Sequence, residues 1–281
     1  MAIALTAAFG RTPHTAPLLD GARGFPLLDL RFEPVKPISR AFAPMVRQGR
    51  FDVSEMAIAT FLMAKAAGKP LVLLPVTLAA RFQEGALLCR AGGPVRGPAD
   101  LAGKRVGVRA YSQTTGMWLR GVLAESFGVR PDAVRWVTFE DAHVAEYADP
   151  PFCERAPAGA DLAAMLRDGG IDAAVFGNDL PEDPAFRPVF ADVAAAGEAF
   201  RARYGFMPVN HLAVLRRDVV EAHPEAAAEL VRLLAAPGLP SGRAALAAPI
   251  ALASRWCAEQ GLTPRALTLD EVWEGLPAGV G

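Results

Sequence analysis

Lysine is scarce in this chain. Among 29 basic side chains it occurs only at Lys36, Lys65, Lys69 and Lys104, and no basic run forms. The formal net charge is −1. Without a basic patch, nucleic acid and acidic membrane surfaces are excluded as main partners. Cysteine is limited to Cys89, Cys153 and Cys257. An odd number of thiols, far apart in sequence, offers neither a disulfide framework nor a metal-ligand spacing. Such residues fit small buried side chains in a reducing compartment. The histidines, His14, His143, His211 and His223, form no H-x-x-x-H pattern, so no metal is expected. No apolar run approaches the ~20 residues that a membrane-spanning helix needs, so membrane insertion is not expected. Internal repeats and low-complexity tracts are missing as well.

What is present is a globular composition, 52% hydrophobic and 21% charged over 281 residues. That is enough to bury one large core or two modest ones. The opening Ala2-Ile3-Ala4-Leu5-Thr6-Ala7-Ala8 lacks a basic n-region. It reads as a first strand rather than a secretory leader. The expected location is therefore cytoplasmic, or periplasmic if an upstream leader has been removed.

Strand and helix signals then alternate. Strands are predicted at 3–8, 27–32, 51–53, 71–76, 85–90, 105–108, 135–139, 172–176 and 211–215. Helices are predicted at 14–20, 38–48, 57–67, 115–127, 161–167, 219–234 and 243–260, with a last one starting near Leu269. Repeated βα units imply an α/β fold with a largely parallel sheet. Residues 141–159 lack periodicity and hold Pro150, Pro151 and Pro157. An irregular loop is expected there.

The most informative stretch is 99–120. A turn at Gly103 leads into a buried strand, then a polar loop, then a helix. Ser112, Gln113, Thr114 and Thr115 sit at that helix start. Hydroxyls, free backbone N–H groups and the helix dipole favour an anion there. A loop after a strand is also where open α/β sheets bind ligands. An ordinary N-cap is the competing reading. No linker separates the two halves, but residues 74–81 and 204–211 suit two crossings between lobes. The expected lobes are 1–78 with 210–281, and 79–209, with a ligand held in the cleft between them.

Asp100-Leu101-Ala102-Gly103-Lys104-Arg105-Val106-Gly107-Val108 resembles the D-L-x-G-K-x-V-G-V signature of type II periplasmic-binding-protein folds. The Leu166 to Ala174 segment resembles the L-x-x-G-x-I-D-A-A motif of the same lobe. A narrower resemblance is to the 4,5-dihydroxyphthalate decarboxylase family. It is carried by Phe51-Asp52-Val53-Ser54-Glu55-Met56, by Tyr111, Thr114, Trp118, Arg120 and Gly121, and by Pro208 with His211. It runs over most of residues 51–215. One departure stands out. Where the family shows a run like S-R-x-F-R-H, this chain has Ala79-Ala80-Arg81-Phe82-Gln83-Glu84. Replacing an Arg and a His by Gln83 and Glu84 implies a ligand with fewer negative charges.

The resemblance implies a cofactor-independent decarboxylase of a hydroxylated aromatic carboxylate. Direct loss of CO2 would leave a costly aryl anion. Protonating the ring carbon first avoids it, with a para hydroxyl supplying electron density. The route needs a general acid and an acceptor for the phenol proton. It also needs donors that hold a carboxylate, and exclusion of water. It calls for no metal or organic cofactor. The expected acid–base residue is His211, because histidine is the side-chain type suited to proton transfer near neutral pH. Glu55 is placed just past a strand end as a proton acceptor, with helix capping as its alternative role. Glu84 would replace the missing His as proton donor if buried. Arg81 would clamp a carboxylate, and Phe82 and Tyr111 would flank a ring. Trp118 is expected in the core. His14 is placed near the ligand, and His223 is structural. A solute-binding protein of the ABC-transporter type, closing on a small organic anion, is the alternative function. The sequence leaves room for a homo-oligomer.

Overall fold

The computed structural model describes residues 2–21, 26–177 and 180–281. Its elements in chain order are β1 (Ile3–Ala8), α1 (Ala16–Leu19), β2 (Leu28–Phe32), α2 (Phe42–Gln48), β3 (Val53–Ala57), α3 (Ile58–Ala66) and β4 (Leu71–Ala80). There follow β5 (Leu87–Arg90), β6 (Arg105–Val108), α4 (Thr114–Phe127), β7 (Arg135–Thr138), β8 (Cys153–Arg155), α5 (Leu162–Arg167), β9 (Ala173–Val175) and β10 (Phe186–Pro188). The chain ends with α6 (Val193–Tyr204), β11 (Val209–Arg216), α7 (Arg217–Ala222), α8 (Pro224–Leu234), α9 (Arg243–Glu259) and α10 (Leu269–Trp273). Two compact units result. One comprises Met1–Ala80, Val209–Arg255 and Thr263–Gly281, the other Arg81–Pro208 and Trp256–Leu262.

The first unit holds a sheet in the order β2-β1-β3-β11-β4. Strands β1, β2 and β3 run parallel, while β11 lies antiparallel to both β3 and β4. β3 is buried along its whole length, which is why Ser54 and Glu55 stay in strand despite weak β-propensity. β4 continues through Pro75, beyond the predicted strand 71–76. Proline cannot donate to the ladder. Here the carbonyl of Pro75 instead accepts from Gly242 N and Ser241 Oγ, and the β11–β4 register shifts between Val209 and Ala213. Such a bulge turns side chains locally, and His211 sits within it.

The second unit holds a sheet in the order β10-β5-β9-β6-β7-β8. β6 lies between β7 and β9, both parallel to it, whereas β5 is antiparallel to β9 and β10. Each sheet is therefore mixed through a single strand, β11 in the first and β5 in the second, that runs against all the others. The loops after β6 and β9 leave the same edge, where the strand order reverses. That edge is the usual ligand position in open α/β sheets.

The segment Trp256–Leu262 joins this unit through packing on α4. The Trp256 and Trp118 rings are 5.5 Å apart, and Trp256 Nε1 donates to Glu125 at 2.8 Å. Trp118 is fully buried. Other elements also differ from expectation, among them the unpredicted β10. The helix predicted over 219–234 breaks at His223, because a residue before proline disfavours helical backbone and Pro224 opens a new helix. The expected irregular stretch 141–159 contributes β8 at a sheet edge. Finally, α6 was not anticipated. Its N-cap Asp192 accepts from Ala195 N at 2.9 Å, and it ends at Gly205 with φ 81°.

Candidate functional site

In the first unit, β11 pairs with β3 so that Ala213 faces Glu55 and His211 faces Ala57. Directly opposed residues share a face, and so do residues two apart. Glu55, Ala57, His211 and Ala213 therefore project on one side. The two alanines leave the diagonal between the larger side chains open. Across it, His211 Nδ1 lies 2.6 Å from Glu55 Oε1. Glu55 is 4% exposed. Its other oxygen, Oε2, accepts the Gly10 N–H at 2.8 Å. Glu55 is thus inside β3 rather than past its end. Its carboxyl receives donors from two directions and caps no helix.

With Glu55 ionised, Nδ1 carries the proton and Nε2 is the nitrogen left for chemistry. No group among the described residues is bonded to Nε2. The imidazole is half-buried and packs edge-on against Phe42, with ring centres 5.3 Å apart. Pairing with a buried carboxylate fixes the ring and stabilises imidazolium when it forms. The arrangement can give or take a proton at one defined atom.

Gly10 is needed for this approach. A β-carbon there would lie 3.1 Å from Glu55 Oε2 and 3.2 Å from Ile38 Cγ2. Thr15, which is 2% exposed, donates to the Gly10 carbonyl at 2.5 Å and holds the turn. The sequence reading missed Gly10. A glycine immediately after a first strand was the available signal.

In the second unit, Arg81 follows β4. Its Nη2 donates to Thr115 Oγ1 at 3.1 Å and its Nη1 to the Gly177 carbonyl at 3.2 Å. Burial lowers the Arg81 pKa from its ordinary value, and its Nε is buried without a partner. No carboxylate pairs with it among the described residues. Ser112, Thr114 and Thr115 are all buried at the start of α4, and Gln113 keeps a buried Oε1 without a partner. The helix has no side-chain cap. Gln83, 1% exposed, donates to the Arg81 carbonyl at 2.6 Å. Glu84 is equally buried, one carboxyl oxygen lacks a partner, and burial raises its pKa.

The remaining candidates make other contacts. Tyr111 is fully buried against Trp136 and Phe152, with the Arg120 guanidinium carbon 3.8 Å from its ring centre. Burial pushes its hydroxyl up to about 12. Phe82 packs on Phe200 and on Gly197, where a β-carbon would meet the ring at 2.8 Å. His14 Nε2 lies 2.7 Å from the Leu234 carbonyl. The structure therefore brings together Glu55 with His211, and Arg81 with Thr115. Among the described residues no group of three His, Cys, Asp or Glu could hold a metal ion. No described helix is long and apolar enough to cross a membrane.

The two units and their sheets define a two-lobed type II periplasmic-binding-protein-like fold. The chain resembles the periplasmic aliphatic sulphonate binding protein SsuA of Escherichia coli, with a TM-score of 0.56 and 14% identity over 99% of this chain and 84% of that one. The alkanesulfonate-binding protein SsuA of Xanthomonas axonopodis pv. citri gives 0.54 and 17% over 98% and 84%. These likenesses establish the fold. The NMT1/THI5 like family model matches residues 28–149.

By sequence the chain is similar to two proteins named 4,5-dihydroxyphthalate decarboxylase. It is 28% identical to the one from Comamonas testosteroni over 81% of this chain and 72% of the relative. For the Pseudomonas putida enzyme the values are 29%, 61% and 69%.

Proposed function

We propose that this protein is a cofactor-independent decarboxylase of a hydroxylated aromatic carboxylate. The observation that carries the reading is the Glu55–His211 pair, with Nδ1 and Oε1 2.6 Å apart. Imidazolium at His211 protonates the ring carbon that bears the departing carboxylate. The para hydroxyl gives its proton to solvent as the ring becomes a dienone. Cleavage of the C–C bond then releases CO2 and restores aromaticity as the phenolate, which takes that proton back from solvent. One proton is taken up overall, and His211 regains it from solvent. Glu55 keeps the imidazole in the right tautomer and stabilises its charge. Arg81 with Ser112, Gln113, Thr114 and Thr115 supports the holding of a carboxylate. Glu84, buried and biased towards its neutral form, is a second candidate donor.

The test is a chromatographic turnover assay with purified protein and 4,5-dihydroxyphthalate, without added metal. Formation of 3,4-dihydroxybenzoate with release of CO2 is the expected result. It would also mean that Gln83 and Glu84 serve where the family pattern has Arg and His. A second reading, a binding protein for a small organic anion, is favoured by Arg81, whose partners are all neutral oxygens. Tight binding of the acid by folded protein without any product would select it.

A further inference from the structure

We infer that Arg120 is a second, buried cation of an oxyanion site at the amino end of α4, acting together with Arg81. The inference extends the reading of residues 112–115 as an anion holder and does not depend on decarboxylation.

The first turn of α4 presents N–H groups that no side chain caps. The positive end of the helix dipole lies there. Arg81 reaches the same turn through Thr115 Oγ1. Arg120 lies one helical turn beyond Gly116, and long helical side chains lean back towards the amino end. Its guanidinium follows that rule. Nη2 donates to the Tyr111 carbonyl at 2.6 Å, at the base of the loop. Nε donates to Gln260 Oε1 at 2.7 Å, and Gln260 in turn donates to the Met117 carbonyl at 2.9 Å. A β-carbon on Gly116 would lie 3.0 Å from Nη1. Nη1 is therefore beside the first turn, and it is buried without a partner.

Arg120 is 1% exposed. No carboxylate pairs with it among the described residues. Its neighbours are two neutral oxygens and the faces of Tyr111 and Trp136. Burying a charge without a counter-ion is unfavourable. Clamping the Tyr111 loop explains Nε and Nη2, but a neutral donor could do that. Two guanidinia and a helix amino end gather positive potential at one turn, and among the described residues no carboxylate is paired with either guanidinium. A small oxyanion, such as a ligand carboxylate or inorganic sulfate, is the complement of that potential. Because Nη1 is buried, Arg120 acts through the loop and the field. It is a positioning residue.

The experiment is an NMR titration of the full chain with inorganic sulfate, reading the Thr115 and Gly116 amides and the Arg120 guanidinium. Sulfate requires no turnover, so a failed decarboxylase reading and a failed anion site give different results. Saturable shifts of all three signals at one affinity are expected. Arg120→Met should weaken sulfate by about tenfold. Arg120→Lys, which restores the charge, should recover most of that loss. Three results would overturn the inference: no saturable shift in wild type, a folded Arg120→Met with unchanged affinity, or Arg120→Lys as weak as Arg120→Met. If Arg120→Met does not fold, the wild-type titration decides, because an Arg120 signal that ignores sulfate while the amides move excludes the role.

Discussion

Glu55 and His211 are diagonal neighbours on one face of the β3–β11 pair, and the small Ala57 and Ala213 fill the other corners. The diagonal is long for most pairs but short enough for Glu and His, whose polar atoms meet at 2.6 Å. If this pair moves the proton, His211→Ala lowers kcat for the aromatic acid by about 10²–10⁴-fold. Glu55→Gln, which keeps the shape but not the charge, lowers kcat with little change in KM. Steady-state kinetics with circular dichroism as a folding control checks both. A folded His211→Ala enzyme at full rate would remove the acid–base assignment.

Gly10 tests how tightly the carboxylate is held. Gly10→Ala puts a methyl group 3.1 Å from Glu55 Oε2, closer than ordinary contact. The Gly10 N–H bond then lengthens and the Glu55 side chain rotates. We expect kcat to fall by about tenfold, with a stability loss of about 1–2 kcal/mol. Urea unfolding and kcat measured on the same sample separate the two effects. An unchanged kcat would mean that Glu55 tolerates displacement.

These two predictions also show where sequence reasoning reached and where it stopped. The α/β class and the strand–loop–helix at 105–127 were legible, because periodicity and punctuation are local. The place of Glu55 was not. Whether a strand stops at Val53 or runs to Ala57 depends on β11, which pairs from more than 150 residues away. The strand predicted over 71–76 runs on to Ala80, and the Pro75 carbonyl within it finds Gly242 and Ser241 outside the sheet ladder. The helix α6 has Asp192 and Gly205 as caps, but its alanine-rich face gave no clear period. Arg120 could be noticed as part of a motif. Its missing counter-ion is visible only once Tyr111 and Gln260 are seen to occupy two of its three nitrogens.

Arg81 and the hydroxyls of α4 make a separate prediction about binding. Arg81→Met removes the charge and both donors. The double change Ser112→Ala with Thr114→Val removes hydroxyls while leaving Arg81 in place. Calorimetry should show 3,4-dihydroxybenzoate binding weakened by about tenfold or more in Arg81→Met, and less in the double variant. Neutral catechol should bind all three proteins alike. Equal weakening of catechol would point to collapse of the loop instead of a lost charge contact.

Glu84 predicts a pH effect of defined sign. Burial raises its pKa in the fold above the ordinary carboxylate value. Its contribution to stability is therefore complete below the unfolded pKa and is lost as pH rises through the folded one. Glu84→Gln removes that loss. The variant should match wild type in strong acid and become the more stable of the two towards neutrality. Urea midpoints across that pH range check it, because every other titrating group is common to both proteins. Parallel curves would mean that Glu84 ionises as an exposed carboxyl does.

Gly121 is the position least able to accept a side chain. A β-carbon there would lie 2.1 Å from Trp256 Cε3 and 2.2 Å from Cδ2, far inside contact distance. The indole cannot yield cheaply. It is fully buried, it packs against Trp118, and its Nε1 is held by Glu125. Gly121→Ala should therefore cost about 2–4 kcal/mol, from overpacking plus a strained hydrogen bond. Trp256→Phe removes the crowding ring, so adding it to Gly121→Ala should cost less than the sum of the two single changes. A double-mutant cycle in urea measures this coupling. Simple additivity would mean that Trp256 moves clear of position 121, and that its docking on α4 is looser than the packing indicates.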